Sequence, residues 1–188
     1  MRMSLASVFG LAFLVSELGL ALFKRAGRQG TREADQGSLR LLWTVIALSV
    51  FLAFTFARSL PAANFGPAPV ISGLGDALFV AGIALRWYAI VYLGRFFTVN
   101  VAIAADHRLI DAGPYRYVRH PSYTGALMAF LGLGLALSNW ASLAMLLVPT
   151  LLVFQRRMNV EESALIQAFG SRYQDYMRRT KRLLPGIY

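Results

Sequence analysis

Five long runs of apolar residues dominate the sequence, and short polar segments separate them. A membrane-spanning helix needs about 20 mostly apolar residues. The runs therefore predict five transmembrane helices, at residues 4–23, 39–57, 70–93, 122–137 and 140–154. Because only Ser138 and Asn139 separate the last two runs, we expect these to form a tight helical hairpin.

A different pattern follows the fifth run. Apolar side chains there recur every three or four positions, which is the spacing of an amphipathic helix. They are Leu165, Ile166, Phe169, Tyr173, Tyr176 and Met177. We expect this stretch to continue the fifth helix, with a bend near Gly170, and to lie on the cytosolic side of the membrane. The predicted fold is an all-α integral membrane protein with about five transmembrane helices and a C-terminal amphipathic cytosolic helix.

The composition agrees with a membrane protein. Of the 188 residues, 57% are hydrophobic and 15% are charged, whereas soluble domains carry about 25% charged residues. We expect one integrated domain. Residues 1–93 would form three transmembrane helices on the substrate and lipid side, and residues 94–188 the cofactor-binding loop, the helical hairpin and the C-terminal cytosolic helix. The sequence has no cysteine, which excludes disulfides, thiolate nucleophiles and cysteine-based metal sites. We predict no metal site.

The strong positive charge is explained by the membrane and not by nucleic acid. The formal net charge is +10, but the basic residues flank apolar runs, where they set topology and contact anionic lipid headgroups. Lys and Arg are concentrated after the first, third and fifth runs. This bias places the N-terminus outside and the C-terminus in the cytoplasm. In a prokaryote, the membrane would be the cytoplasmic one.

Two charged residues lie well inside the apolar runs, away from their ends. Glu17 and Arg86 are each costly at a helix centre, by about 2.5–3.5 kcal/mol on insertion scales. At about 1.5 Å per residue, they lie about 9 and 10 Å from the cytoplasmic ends of their helices. Their matching depth predicts an ion pair that joins the first helix to the third. The alternatives are that one of them faces the substrate, or that the side chains extend to the membrane interface.

Small residues recur along the fourth run at Gly125, Ala129, Gly132 and Ala136. Small side chains let the backbones of membrane helices approach closely. We expect this stripe to pack against a neighbouring helix, in preference to forming a groove for substrate.

The polar residues capable of chemistry are concentrated between the third and fourth runs. Both histidines, His107 and His120, occur there within fourteen residues, among arginines and tyrosines. Pro121 suits the first turn of the fourth helix. Arg119 and His120 then lie at the N-terminus of that helix, where unpaired N–H groups favour anions. The alternative is an interfacial belt that only anchors the helix.

A second polar cluster follows the fifth run and contains Arg157, Glu161 and Glu162. Because the fourth and fifth helices form a hairpin, this cluster and the Arg119–His120 segment emerge at the same membrane face. Together they suit a zwitterionic, positively charged cofactor with an aromatic group. Taken alone, Arg157 and Glu161 also fit an ordinary surface pair at helical spacing.

These clusters resemble the isoprenylcysteine carboxyl methyltransferase family, including its prokaryotic relatives and, more distantly, phospholipid methyltransferases. The resemblance covers residues 96–188. Its motifs are His107-x-Leu109, Gly113-x-Tyr115, Arg119-His120-Pro121-x-Tyr123-x-Gly125, Glu161-Glu162-x-x-Leu165, Phe169-Gly170-x-x-Tyr173-x-x-Tyr176 and Pro185. It implies a membrane-embedded enzyme that uses S-adenosylmethionine without a Rossmann domain, and the sequence has no G-x-G-x-x-G after a strand.

The resemblance also implies roles for individual residues. Arg119 and Glu162 would lie nearest the transferred methyl group. Cofactor contacts would come from His107, Leu109, Tyr115, His120, Pro121, Tyr123 and Glu161. The acceptor would be lipophilic or lipidated, with a carboxylate of an isoprenoid or prenylcysteine-like molecule favoured. The alternatives are a lipid N- or O-methyltransferase, an NADPH-dependent membrane reductase of the sterol-reductase type, and a non-enzymatic membrane protein.

Overall fold

Helices form nearly all the regular structure of the chain. The structure, a computed structural model, describes residues 5–23, 32–66, 69–97 and 108–188. Within these ranges the α-helices are α1 (Leu5–Phe23), α2 (Arg32–Ser59), α3 (Pro69–Leu93), α4 (Pro121–Ala136), α5 (Trp140–Phe169) and α6 (Ser171–Arg179). The described residues form isolated β-bridges but no β-strand. The predicted all-α class is confirmed.

Each of the five predicted spans overlaps a different helix. By length and composition, three helical stretches can cross a membrane, namely Gly37–Ser59, Pro69–Phe96 and Trp140–Phe169. Val8–Glu17 and Pro121–Ala136 are shorter apolar helices. α2 begins earlier and α5 ends later than the apolar runs do, because the flanking polar residues continue the helix without a hydrophobic signal.

Glycines bring α3 and α4 into direct backbone contact. A Cβ atom on Gly82 would lie 2.5 Å from the carbonyl oxygen of Gly125, and one on Gly125 would lie 2.6 Å from the carbonyl oxygen of Gly82. About two turns further along α4, a Cβ atom on Gly132 would lie 2.5 Å from the carbonyl oxygen of Gly75 on α3. The prediction that the small residues of α4 serve close helix packing is confirmed.

Asn139 fixes the hairpin between α4 and α5. Its side chain accepts a hydrogen bond from the Ser142 backbone N–H at 3.0 Å, which caps α5. Its amide nitrogen donates to the Leu60 carbonyl at 3.0 Å and to Asn64 Oδ1 at 2.8 Å. Ser138, at φ 52°, makes the left-handed turn before it. The tight hairpin is confirmed, and it is tied to the end of α2.

Aromatic contacts hold α1 against α3 and α4. Phe9 stacks on Phe79 of α3 with ring centroids 4.5 Å apart, and Phe13 packs on Phe130 of α4 at 4.7 Å. Glu17 follows Phe13 by one helical turn, so this packing faces Glu17 toward the same neighbours.

Gly170 ends α5 and does not merely bend it. Its φ of 55° is unfavourable for residues with a side chain, and its N–H donates to the Ile166 carbonyl at 2.8 Å. α6 then starts in a new direction. Its Tyr173 and Tyr176 are buried with Leu109 in a second apolar cluster, separate from the core of the helix bundle. A single helix bent near Gly170 is therefore corrected to two helices.

Candidate active site

A cavity lies at one end of the bundle, where α1 and α3 end and α2 and α4 begin. Helices α1, α2 and α3 contribute Glu17, Leu42 and Arg86 to its wall, and the C-terminal part of the chain contributes residues of α5 and α6. The cavity therefore lies between the apolar core of the bundle and the cluster of Leu109, Tyr173 and Tyr176.

The start of α4 meets α5 beside this cavity. Arg119 Nε donates to Glu162 Oε1 at 2.8 Å, and His120 Nε2 lies 3.1 Å from the same oxygen. Arg119 Nη1 also donates to the backbone carbonyls of Met177 and Thr180. The predicted convergence of the two clusters is confirmed. The cationic corner predicted to bind an anion holds the chain's own carboxylate, Glu162.

Glu161, which precedes Glu162 on α5, borders the cavity. Tyr123 donates its hydroxyl hydrogen to Glu161 Oε1 at 2.5 Å, and Arg157 Nε donates to that oxygen at 3.1 Å. His120 Nδ1 lies 3.6 Å from Glu161 Oε2, so its ring stands between the two glutamates. Glu161 borders the cavity, whereas Glu162 is not part of its wall.

Arg157 is an internal residue of the site. It is 1% exposed, and its Nη1 donates to Ser38 Oγ of α2 at 2.8 Å. The interpretation of Arg157 and Glu161 as a surface pair is therefore wrong. That interpretation placed Arg157 outside the protein interior. In the structure, Ser38 of α2 packs against Arg157.

The segment after α6 completes the corner at α4. The backbone N–H of Arg119 donates to the Lys181 carbonyl at 2.8 Å, and that of His120 donates to the Arg182 carbonyl at 3.0 Å. Arg182 Nη2 reaches Glu162 Oε2 at 2.5 Å. Glu162 thus joins α5, the start of α4 and the C-terminal segment.

Tyrosines form the side of the cavity near α6. Tyr115 donates its hydroxyl hydrogen to the Ala89 carbonyl at 3.2 Å, and Tyr176 donates to the Tyr115 carbonyl at 2.6 Å. Burial raises the pKa of the Tyr115, Tyr173 and Tyr176 phenols above their ordinary value. These groups therefore remain neutral hydrogen-bond donors at neutral pH.

Glu17 and Arg86 form the predicted ion pair. Arg86 Nε and Nη2 donate to the two carboxylate oxygens of Glu17 at 2.5 and 2.6 Å. Both residues also border the cavity. The pair therefore links α1 to α3, as predicted, while the alternative that one of the two faces the substrate stays a prediction.

The structure places most of the sequence-predicted site residues at this cavity. The residues that border it are Leu109, Tyr115, Arg119, His120, Tyr123 and Glu161. Pro121 is buried at the first position of α4, and Glu162 lies behind Arg119. His107 lies outside the described residues, as do Lys24 and Arg25 of the basic loop.

Sequence reasoning missed the roles of Arg157 and Arg182. Arg157 had a usable signal, because it is four positions from Glu161 at the end of an apolar run. Arg182 had none, since only the folded path of the C-terminal segment brings it to Glu162.

The sequence model of the isoprenylcysteine carboxyl methyltransferase (ICMT) family matches residues 75–167. Protein-S-isoprenylcysteine O-methyltransferase B of Arabidopsis thaliana is 35% identical over 119 residues, 62% of this chain and 60% of that protein. The Schizosaccharomyces pombe protein-S-isoprenylcysteine O-methyltransferase is 35% identical over 108 residues, 56% of this chain and 46% of that protein.

The mouse protein-S-isoprenylcysteine O-methyltransferase is 31% identical over 149 residues, 78% of this chain and 52% of that protein. The chain thus matches between about half and three fifths of the length of these relatives. All three are eukaryotic, so the expected closeness to prokaryotic members stays a prediction.

A solved structure of the eukaryotic intramembrane Ras methyltransferase ICMT aligns with a TM-score of 0.61 and 22% identity, over 96% of this chain and 63% of that one. This likeness concerns the fold alone. The matched sequence segment contains the α3–α4 contact, the Arg119–His120 corner and both glutamates. Over the segment that carries the site, the chain is similar to the isoprenylcysteine carboxyl methyltransferase family.

Proposed function

We propose that this chain is a membrane-embedded methyltransferase that uses S-adenosylmethionine to methylate a carboxylate of a lipophilic, prenylcysteine-like acceptor. The observation that supports this most is the buried network in which Arg119 and His120 meet Glu161 and Glu162 at the cavity wall. The network lies within the segment matched by the methyltransferase family. The names of the matched relatives supply the acceptor class.

The side chains around the cavity fit the chemistry of S-adenosylmethionine. That molecule carries a sulfonium, an ammonium group, a carboxylate and an adenine ring. Aromatic faces such as those of Tyr115 and Tyr176 attract cations and stack on flat rings. Glu161 suits a cationic group, and the arginines suit a carboxylate. We assign cofactor contacts to Leu109, Tyr115, His120, Tyr123 and Glu161, and to His107 and Pro121 as the family resemblance implies.

The charges that border the cavity favour an anionic acceptor. Among the described residues, the cavity wall contains Arg86, Arg108, Arg119 and Arg157, against Glu17 and Glu161. This excess of positive charge attracts a carboxylate and repels a protonated amine. Carboxyl methylation is therefore better supported than amine methylation.

The reaction needs no general base. When bound, S-adenosylmethionine supplies a methyl group on a positively charged sulfur, and the acceptor carboxylate is already ionised near neutral pH. Transfer to that carboxylate would exchange the S–CH₃ bond for an O–CH₃ bond and remove both charges. Exclusion of water favours such a step. In support, Arg157 and His120 on this wall are only 1% and 6% exposed.

Arg119 and Glu162 act together in this proposal. Arg119 borders the cavity and is the predicted group nearest the acceptor carboxylate. Glu162 is a positioning residue, because its 2.8 Å contact with Arg119 Nε fixes the guanidinium while Glu162 stays out of the cavity wall. The cofactor side of the cavity would face the cytoplasm, and the N-terminus would lie outside.

Calorimetry on the purified chain in mild detergent tests the proposal. We expect saturable binding of S-adenosylmethionine, at least tenfold weaker in His120→Ala, and no binding of NADPH. Asn159→Ala is the matched control, because Asn159 is exposed on the same helix that carries Glu161. Folded protein that binds NADPH and not S-adenosylmethionine would replace the methyltransferase with a reductase. Binding of neither would favour a non-enzymatic protein.

A further inference from the structure

The Glu17–Arg86 pair is a wall of the cavity as well as a link between helices. Arg86 is 8% and Glu17 3% exposed, yet both border the cavity. Arg86 Nη1 also donates to the Ser122 carbonyl at 3.2 Å, in the first turn of α4. A charged pair at this depth in membrane helices is costly, and such residues usually mark a functional site.

Arg86 keeps hydrogen-bonding capacity toward the cavity. A guanidinium carries five N–H groups, one on Nε and two on each Nη atom. The contacts with Glu17 and Ser122 use one on each nitrogen. Two N–H groups, one on each Nη atom, have no partner among the described residues. A carboxylate accepts well from such a pair of donors.

The surroundings of Arg86 suit a hydrocarbon chain. The cavity wall contributed by α1 and α2 includes Leu20, Leu42 and Trp43, and Leu93 continues it at the end of α3. A lipophilic molecule bound against these side chains brings its polar end toward the charged residues of the wall, which include Glu17 and Arg86.

We propose that Arg86 binds the carboxylate of the lipophilic acceptor from the membrane side, and that Glu17 positions its guanidinium. This inference rests on the proposed function, and it adds a second cation to the one supplied by Arg119. Glu17 has two effects: it holds Arg86 in place, and its own negative charge weakens the attraction for the acceptor.

The inference predicts opposite effects of substituting the two partners. Arg86→Gln raises the KM for a carboxylate acceptor by about ten- to a hundredfold, as expected for losing a hydrogen bond to a charged group. Glu17→Gln keeps a hydrogen-bond partner for Arg86 but removes the competing charge, so the KM falls. A pair that is only structural destabilises the protein in both variants and has no reason to move the KM in opposite directions.

The test uses the full chain in detergent, with S-adenosylmethionine and an N-acetylated S-prenylcysteine as probes. Acceptor KM, S-adenosylmethionine affinity and melting temperature are measured for each variant. Arg58→Gln, an exposed arginine at the far end of α2, is the control for removing a positive charge. A raised KM in Arg86→Gln, a lowered KM in Glu17→Gln and unchanged cofactor affinity in both support the inference.

An unchanged KM in Arg86→Gln, or a shift in the same direction in both variants, would overturn the role of Arg86. If Arg86→Gln does not fold, Glu17→Gln decides alone, because a KM that does not fall contradicts the inference. Absence of methyl transfer by the wild-type protein would overturn the proposed function, and this inference with it. That failure is seen before any variant is measured.

Discussion

Arg119 and Glu162 are 43 positions apart in the sequence, and their side chains meet at 2.8 Å. Glu162 also accepts a hydrogen bond from Arg182 at 2.5 Å and lies 3.1 Å from His120 Nε2. One carboxylate therefore holds side chains from the start of α4 and from the segment after α6. Since it does not border the cavity, Glu162 shapes the site through its partners.

Glu162→Gln removes this shared charge while keeping the size of the side chain. Arg119 and Arg182 then lose their carboxylate in a site where the Glu162 side chain is only 3% exposed. Breaking a buried ion pair by removing one partner costs about 3–5 kcal/mol. We expect a loss of this order in the free energy of unfolding, measured by denaturation in detergent, and a matching loss of S-adenosylmethionine binding.

Asp175→Asn is the matched control for that experiment. Asp175 pairs with Arg178 on α6, but their side chains are 57% and 73% exposed. Exposed ion pairs contribute about 0–1 kcal/mol, so this substitution should leave stability and binding nearly unchanged. If the two variants lose similar stability, the buried network does not have the importance assigned to it.

Tyr176→Phe tests the contact that fastens α6 over the cavity. It removes the hydroxyl that donates to the Tyr115 carbonyl at 2.6 Å and leaves that carbonyl buried without this partner. Such a loss costs about 1–3 kcal/mol. We expect lower stability and faster cofactor dissociation, measured by stopped-flow fluorescence. The control is Tyr117→Phe, whose side chain is 65% exposed. Equal dissociation rates in the two variants would contradict this role of α6.

The sequence predicted the parts of this site that depend on local pattern. Hydrophobic runs identified the helices, and the two-residue separation of the last two runs identified the hairpin that brings His120 to Glu162. Matched depth in the membrane was enough to pair Glu17 with Arg86. The short connection brings His120 to Glu162, and the matched depth brings Glu17 to Arg86, although both pairs are far apart in sequence.

The remaining features depend on packing that no local pattern encodes. Arg157 looks like a surface residue on α5, but it is buried and donates to Ser38 of α2. The adjacent glutamates Glu161 and Glu162 look equivalent in sequence. The path of the C-terminal segment makes their surroundings different, because it brings Arg182 to Glu162 and not to Glu161.

Asn139→Ala tests how firmly the hairpin is anchored at the end opposite the cavity. The substitution removes the cap of α5 and the hydrogen bonds to Leu60 and Asn64. Loss of an N-cap costs about 0.5–2 kcal/mol, and the buried bonds add to this. We expect a lower melting temperature with unchanged cofactor affinity in the folded protein. Asn159→Ala, at an exposed position of the same helix, should change neither. Weaker cofactor binding in Asn139→Ala would show that the two ends are coupled.

Gly125→Ala tests whether contact between the backbones of α3 and α4 positions the cavity wall. The added methyl group would lie 2.6 Å from the backbone nitrogen of Arg86, so the helices must separate. Overpacking of this kind costs about 1–3 kcal/mol, and here it also moves Arg86 away from the Ser122 carbonyl. Gly73→Ala is the control, because it lies on α3 with no atom within 4 Å of the added group. We expect lower stability and weaker acceptor binding only in Gly125→Ala, measured by thermal denaturation and steady-state kinetics. If both variants behave like the wild type, the close approach of α3 and α4 does not determine the geometry of the site.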